Sequence, residues 1–162
     1  MTDQTLSAVE RRLAELGHTL PQVAAPLAAY VPALRHGDLV FTSGQLPFVD
    51  GALPATGKVG EGEGLVTPEE AKRLAGLCAL NAIAAVRSVV DDLDSVVRVV
   101  KVVGFVASDP AFTGQPGVVN GASELLGHAF GDAGVHARSA VGVAVLPMDT
   151  PVEVEITVAV AD

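Results

Sequence analysis

Arg138 and Glu153 are of side-chain types that could work on a small anionic substrate. A guanidinium is a planar donor fork that matches a carboxylate. A glutamate nearby can move a proton or orient a water. Both lie in one stretch, H-A-R-S-A-V-G-V-A-V-L-P-M-D-T-P-V-E-V-E-I-T-V-A-V-A, from His136 to Ala161. Each also has an ordinary reading, as a structural arginine at a strand start and an exposed strand glutamate. Glu155, on the same face as Glu153, fits the ordinary role better. Ser43, within F-T-S-G-Q, can position a substrate or a water, or simply end a strand. No G-x-S-x-G turn surrounds it, which argues against a nucleophile. Tyr30 is the single tyrosine, and its hydroxyl could reach a ligand or only pack. Cys78 has apolar neighbours in a helical pattern and is expected in the core.

The elements that must position these groups follow from periodicity. Leu6, Val9, Leu13 and Leu16 predict a helix over Leu6–Leu16, stopped by Gly17. Tyr30–Arg35 and Asp38–Thr42 read as strands around a tight turn at His36-Gly37. A loop from Leu46 to Val66 follows, with five glycines and two prolines. Thr67-Pro68-Glu69-Glu70 reads as a capping box opening a helix to about Val90. Val96–Ala107, nearly all apolar, reads as a central strand, and Val118–Phe130 as a second long helix. Val152, Val154, Ile156, Val158 and Val160 alternate with polar residues in the final strand. The last two runs are expected to pair as an antiparallel hairpin around Leu146–Pro151. In that pairing Arg138 lies at the open end and Glu153 near the turn, so the two either act apart or are joined by a neighbouring subunit.

The order is a helix followed by β-β-α-β-α-β-β, an α+β fold with helices on one face of a sheet. The other face carries few charges and is expected to pack against another copy in a closed homo-oligomer. Residues 1–162 are expected to form one domain, with residues 1–20 as a helical extension and 46–66 as a long loop. The formal charge of -9 argues against general nucleic-acid binding. One cysteine rules out an intrachain disulfide. The histidines His18, His36, His128 and His136 lack ligand spacing, so no metal is expected. The N-terminus lacks the order of a secretory signal, and no apolar run could span a bilayer. A cytoplasmic protein without membrane contact is expected.

F-T-S-G-Q, F-V-A-S-D at Phe105–Asp109, A-R-S-A-V at Ala137–Val141 and L-P…V-E-V-E from Leu146 to Glu155 together resemble the Rid family. These are the reactive intermediate deaminases, also called YjgF-type proteins or L-PSP endoribonucleases. The resemblance runs from about Tyr30 to the C-terminus. It implies a chorismate-mutase-like fold and a homotrimer with a site in each cleft between subunits. It also implies hydrolysis of 2-imino acids and their enamine tautomers to 2-keto acids and ammonia, with no metal or organic cofactor. By the same resemblance Arg138 clamps the carboxylate of a small metabolite. Glu153 supplies the working carboxylate, and Ser43 and Gly44 form the small-residue part of the site. Tyr30 and Asn120 complete the substrate contacts. Ala28-Ala29 replaces the family's frequent Gly-Pro, and Ala140 stands where many members have cysteine. The longer loop and the first helix also depart from the pattern and point to a divergent branch. Non-catalytic metabolite binding on the same scaffold and endoribonuclease activity are the alternatives.

Overall fold

The computed structural model describes residues 5–23, 25–26 and 29–162; Ala28 lies outside them. The first helix, α1 (Ala8–Glu15), opens on a reciprocal capping box between Ser7 and Glu10. The Ser7 hydroxyl accepts from Glu10 N–H at 3.1 Å, and the Glu10 carboxylate accepts from Ser7 N–H at 2.8 Å. The Asp94 carboxylate accepts from the next two amides, Ala8 and Val9, which ties the helix start to a distant turn. Val9 and Leu13 bury the apolar stripe, and α1 packs on α3 (Gln115–Phe130). Leu6 and Leu16, the outer members of the predicted stripe, stay exposed, so the helix is shorter than its pattern.

In α2 (Pro68–Arg87) only half of the predicted capping box forms. The Thr67 hydroxyl accepts from Glu70 N–H, but the Glu70 carboxylate turns to Arg73, at 2.9 and 2.7 Å. A two-pronged charged contact outcompetes one neutral backbone donor.

Strands β1 (Ala33–His36) and β2 (Leu39–Thr42) form the expected hairpin, with the turn at Gly37-Asp38. Gly37 has φ +61°, and a glycine with positive φ at the first turn position is the type II′ pattern. β3 spans Val96–Ala107, the predicted bounds. β4 (Ala137–Val143) and β5 (Val152–Val160) do not pair with each other. The sheet order is β1-β2-β5-β3-β4, with β4 parallel to β3 and β5 antiparallel to it. This corrects the terminal hairpin. The cause lies in β3, whose apolar run is best served by a ladder on each side. α3 supplies the long connection that a parallel β3–β4 pair requires. β5 then inserts between β2 and β3. The chain between β4 and β5 crosses the end of β3, where Ala107 N–H donates to Pro151 O.

α2 and α3 cover one face of the sheet, the α+β arrangement the pattern predicts. The five alternating apolar residues of β5 are buried beneath them. Gly104 permits close contact: a Cβ there would lie 2.6 Å from Val119 Cγ1. The two helices also touch closely, since a Cβ on Gly121 would lie 2.8 Å from the Lys72 carbonyl carbon. The opposite face presents Leu34, Leu39, Phe41 and Val141, all exposed.

The 46–66 segment is tethered rather than free. The Asn81 amide of α2 donates to Leu46 O and Phe48 O at its base. Val59, fully buried, bonds through its backbone to Ala107 and Asp109 at the end of β3. Lys58 meets Asp149 at 3.1 Å, and Gly57 N–H donates to Asp149 O. No helix among the described residues is long and apolar enough to cross a membrane.

Candidate functional site

Glu153 follows the crossover into β5, on the sheet face opposite the helices, paired with Phe105. It is half-buried and has no hydrogen-bond donor among the described residues. Burial pushes its carboxyl above the usual glutamate range, and the nearby charge of Glu155 adds to this. Its carboxylate lies against Gly44: a Cβ there would come within 2.8 Å of Glu153 Cδ. Gln45 holds this approach through two backbone bonds with Val154, at 2.8 and 3.0 Å. The Gly44 N–H finds no acceptor among the described residues.

Ser43 adjoins this carboxylate through Gly44, but its hydroxyl donates to Val31 O at 2.6 Å. Its N–H donates to Pro32 O. Both contacts hold the Tyr30–Pro32 segment against the end of β2. Tyr30 is half-exposed and its hydroxyl has no partner among the described residues. Ser43, Gly44 and Glu153 therefore lie together at one end of the sheet, and the backbone that follows Tyr30 is held beside Ser43.

Arg138 and Asn120 meet elsewhere. Arg138 pairs with Val102, whose side chain is buried under the helices, so Arg138 points to the α3 side. Its Nη1 donates to Asn120 Oδ1 at 2.7 Å and to Ser123 Oγ at 3.3 Å, and its Nη2 donates to Pro116 O at 3.2 Å. Three contacts thus brace the terminal nitrogens on α3. Nε–H and one N–H of Nη2 remain without partners among the described residues, enough for a two-pronged grip on a carboxylate.

The two groups do not meet within one chain. Arg138 and Glu153 sit on opposite faces, three residues apart along the strands and two strands apart across them. That is about 10 Å in each direction. β4 is an edge strand, so Arg138 faces a border where another chain can approach.

Cys78 is fully buried in α2, as its pattern predicts, and burial pushes its thiol well up; the Glu153 charge adds to this. No group of three or more metal-binding side chains exists among the described residues. Two polar residues around Arg138 escaped the sequence reading. Ser123 lies three residues after Asn120, one helical step along the same face of α3, and His136 lies two residues before Arg138. Both spacings were visible, but only the β3–α3–β4 crossover brings them together.

The comparisons agree with this architecture. A family model described as "YjgF/chorismate_mutase-like, putative endoribonuclease" matches residues 10–159. Protein TCP17 of Trypanosoma cruzi is 43% identical over 148 residues, covering 91% of this chain and 91% of its own. The crystal structure of Atu1372 of Agrobacterium tumefaciens is 44% identical, with a TM-score of 0.88 over 95% of this chain and 93% of that one. The YjgF gene product of E. coli is 26% identical, with a TM-score of 0.62 over 87% of this chain and 94% of that one. Because the family model covers nearly the whole chain, from residue 10 to 159, the protein belongs to the YjgF/chorismate-mutase-like family.

Proposed function

We propose that this chain hydrolyses 2-imino acids and their enamine tautomers to 2-keto acids and ammonia, in clefts between subunits of a closed trimer. The observation that carries the reading is Glu153: a half-buried carboxylate with no donor, held against Gly44 and pushed toward its protonated form. Arg138 grips the substrate carboxylate with its two remaining N–H groups, and Asn120 braces it. The imine carbon is already electrophilic, so the reaction requires neither metal nor organic cofactor. The Glu153 carboxylate takes a proton from the attacking water and passes it to the imine nitrogen, giving a carbinolamine; it then takes the hydroxyl proton and delivers it to the same nitrogen as the C–N bond breaks. Water supplies the keto oxygen and ammonia leaves. The Gly44 N–H stabilises charge at the reacting centre, and Tyr30 lines the entrance. The apolar face around Phe41 and Val141 supports the assembly, because such a face is costly to leave in water. The edge position of Arg138 lets one subunit complete the Glu153 half of its neighbour.

The test is ammonia and pyruvate release from 2-iminopropanoate generated in place by an amino-acid oxidase. Saturable acceleration over the spontaneous reaction supports the reading. Pyruvate binding without acceleration replaces it with a metabolite-binding role, and neither result removes both. RNA cleavage is disfavoured by the charge of -9; cleavage that survives repeated purification would reinstate it.

A further inference from the structure

Behind Arg138 lies a short polar chain that the reaction above does not use. His136 Nδ1 lies 2.6 Å from Gly134 O, and His136 Nε2 lies 2.9 Å from Ser123 Oγ. A carbonyl only accepts, so Nδ1 carries the hydrogen. In the neutral ring Nε2 is then an acceptor, and the Ser123 hydroxyl must donate to it. This turns the serine lone pairs toward Arg138 Nη1, at 3.3 Å. With the ring neutral, the direction of every bond is fixed from one end: Arg138 to Ser123, Ser123 to His136, His136 to a backbone carbonyl. Without the imidazole, the serine hydrogen is free to swing toward the guanidinium and repel it.

We propose that His136 and Ser123 are positioning residues that fix the donor fork of Arg138 for a substrate carboxylate. The role in binding rests on the proposed imino-acid reading; the bracing itself does not. Asn120 holds Nη1 from one side and the Ser123–His136 pair from the other, which limits rotation of the guanidinium about its own C–N bonds. A preorganised fork loses less freedom when it grips a ligand.

The experiment uses the full-length protein with Ser123→Ala, His136→Ala and Ser123→Thr, each also combined with Arg138→Ala. Nitrogen NMR of the arginine side chain reads the bracing without any ligand. Wild type and Ser123→Thr should show separate, slowly exchanging Nη signals for Arg138, and the two alanine variants averaged ones. Separate signals in both alanine variants would overturn the proposal. Pyruvate titration reads the consequence. The alanine variants should bind about three- to tenfold more weakly, with KM for 2-iminopropanoate rising more than kcat falls. Ser123→Thr should restore affinity. In the Arg138→Ala background neither alanine change should have any further effect, whereas a general packing defect would persist there and contradict the proposal. If wild type neither binds pyruvate nor releases ammonia, the proposed function fails while the NMR comparison still decides the bracing.

Discussion

Gly44→Ala is a sharp probe of the Glu153 half-site, because its effect is set by one contact. The new Cβ would stand 2.8 Å from Glu153 Cδ, whereas ordinary contact begins at 3.4 Å. Glu153 Oε1 lies closer still, so the carboxylate must retreat by more than about 0.6 Å or rotate away. The backbone φ of Gly44 is not positive, so alanine adds no conformational strain at this position. The obstacle is the far end of a half-exposed side chain, which yields at a cost of about 1 kcal/mol or less in stability. The chemistry is less tolerant. A misplacement approaching 1 Å in a reacting group costs about a hundredfold in rate, or about 2.7 kcal/mol in the barrier. The expected variant is folded, assembles normally and loses about a hundredfold in kcat/KM for 2-iminopropanoate. Glu153→Gln should lose a similar factor, and the double variant should lose little more than either one. A Gly44→Ala protein with wild-type kcat/KM would refute the placement of Glu153 at the reacting atoms.

Further outcomes follow from the same geometry. Arg138→Ala should weaken pyruvate binding about ten- to a hundredfold in calorimetry, and Arg138→Lys should recover little because an ammonium cannot form the fork. Burial raises the Glu153 pKa on folding, so its contribution to stability is intact below the ordinary glutamate range and is lost as pH rises through its folded value. Glu153→Gln should therefore gain Tm relative to wild type as pH rises toward neutrality, and an advantage that instead grew toward acid pH would contradict the assignment. Gly121→Ala sets a Cβ against the Lys72 backbone, which cannot swing aside. It should cost about 1–3 kcal/mol and lower Tm by roughly 2–4 °C per kcal/mol in a thermal scan.

Much of the fold is written in local pattern. The strict alternation from Val152 to Val160 gave one buried face, and the apolar run from Val96 gave a strand with its bounds. Pairing was harder to read. Nothing within β4 or β5 states that β3 lies between them, because strand partners are chosen by the whole sheet and by the room α3 needs. The capping box shows the same limit in miniature: Thr67 capped as its type predicts, but Glu70 found a stronger partner in Arg73. At the candidate site, the family resemblance pointed to Arg138 and Glu153 as catalytic and to Tyr30, Ser43, Gly44 and Asn120 as substrate-binding residues. The division into two groups on opposite faces needed the register. Ser123 and His136 were silent because a serine in a helix and a histidine before a strand carry no signal until the crossover stacks them.

A site shared between Arg138 of one subunit and Glu153 of its neighbour can be tested by complementation. The direct test mixes two inactive proteins, Arg138→Ala and Glu153→Gln, after dissociation and reassembly. If the site is shared across subunits, random trimers from equal parts should carry the intact pair in about a quarter of their clefts. Activity should then return to about a quarter of wild type. Mixed oligomers, verified by mass, that remain as inactive as either parent would contradict the claim.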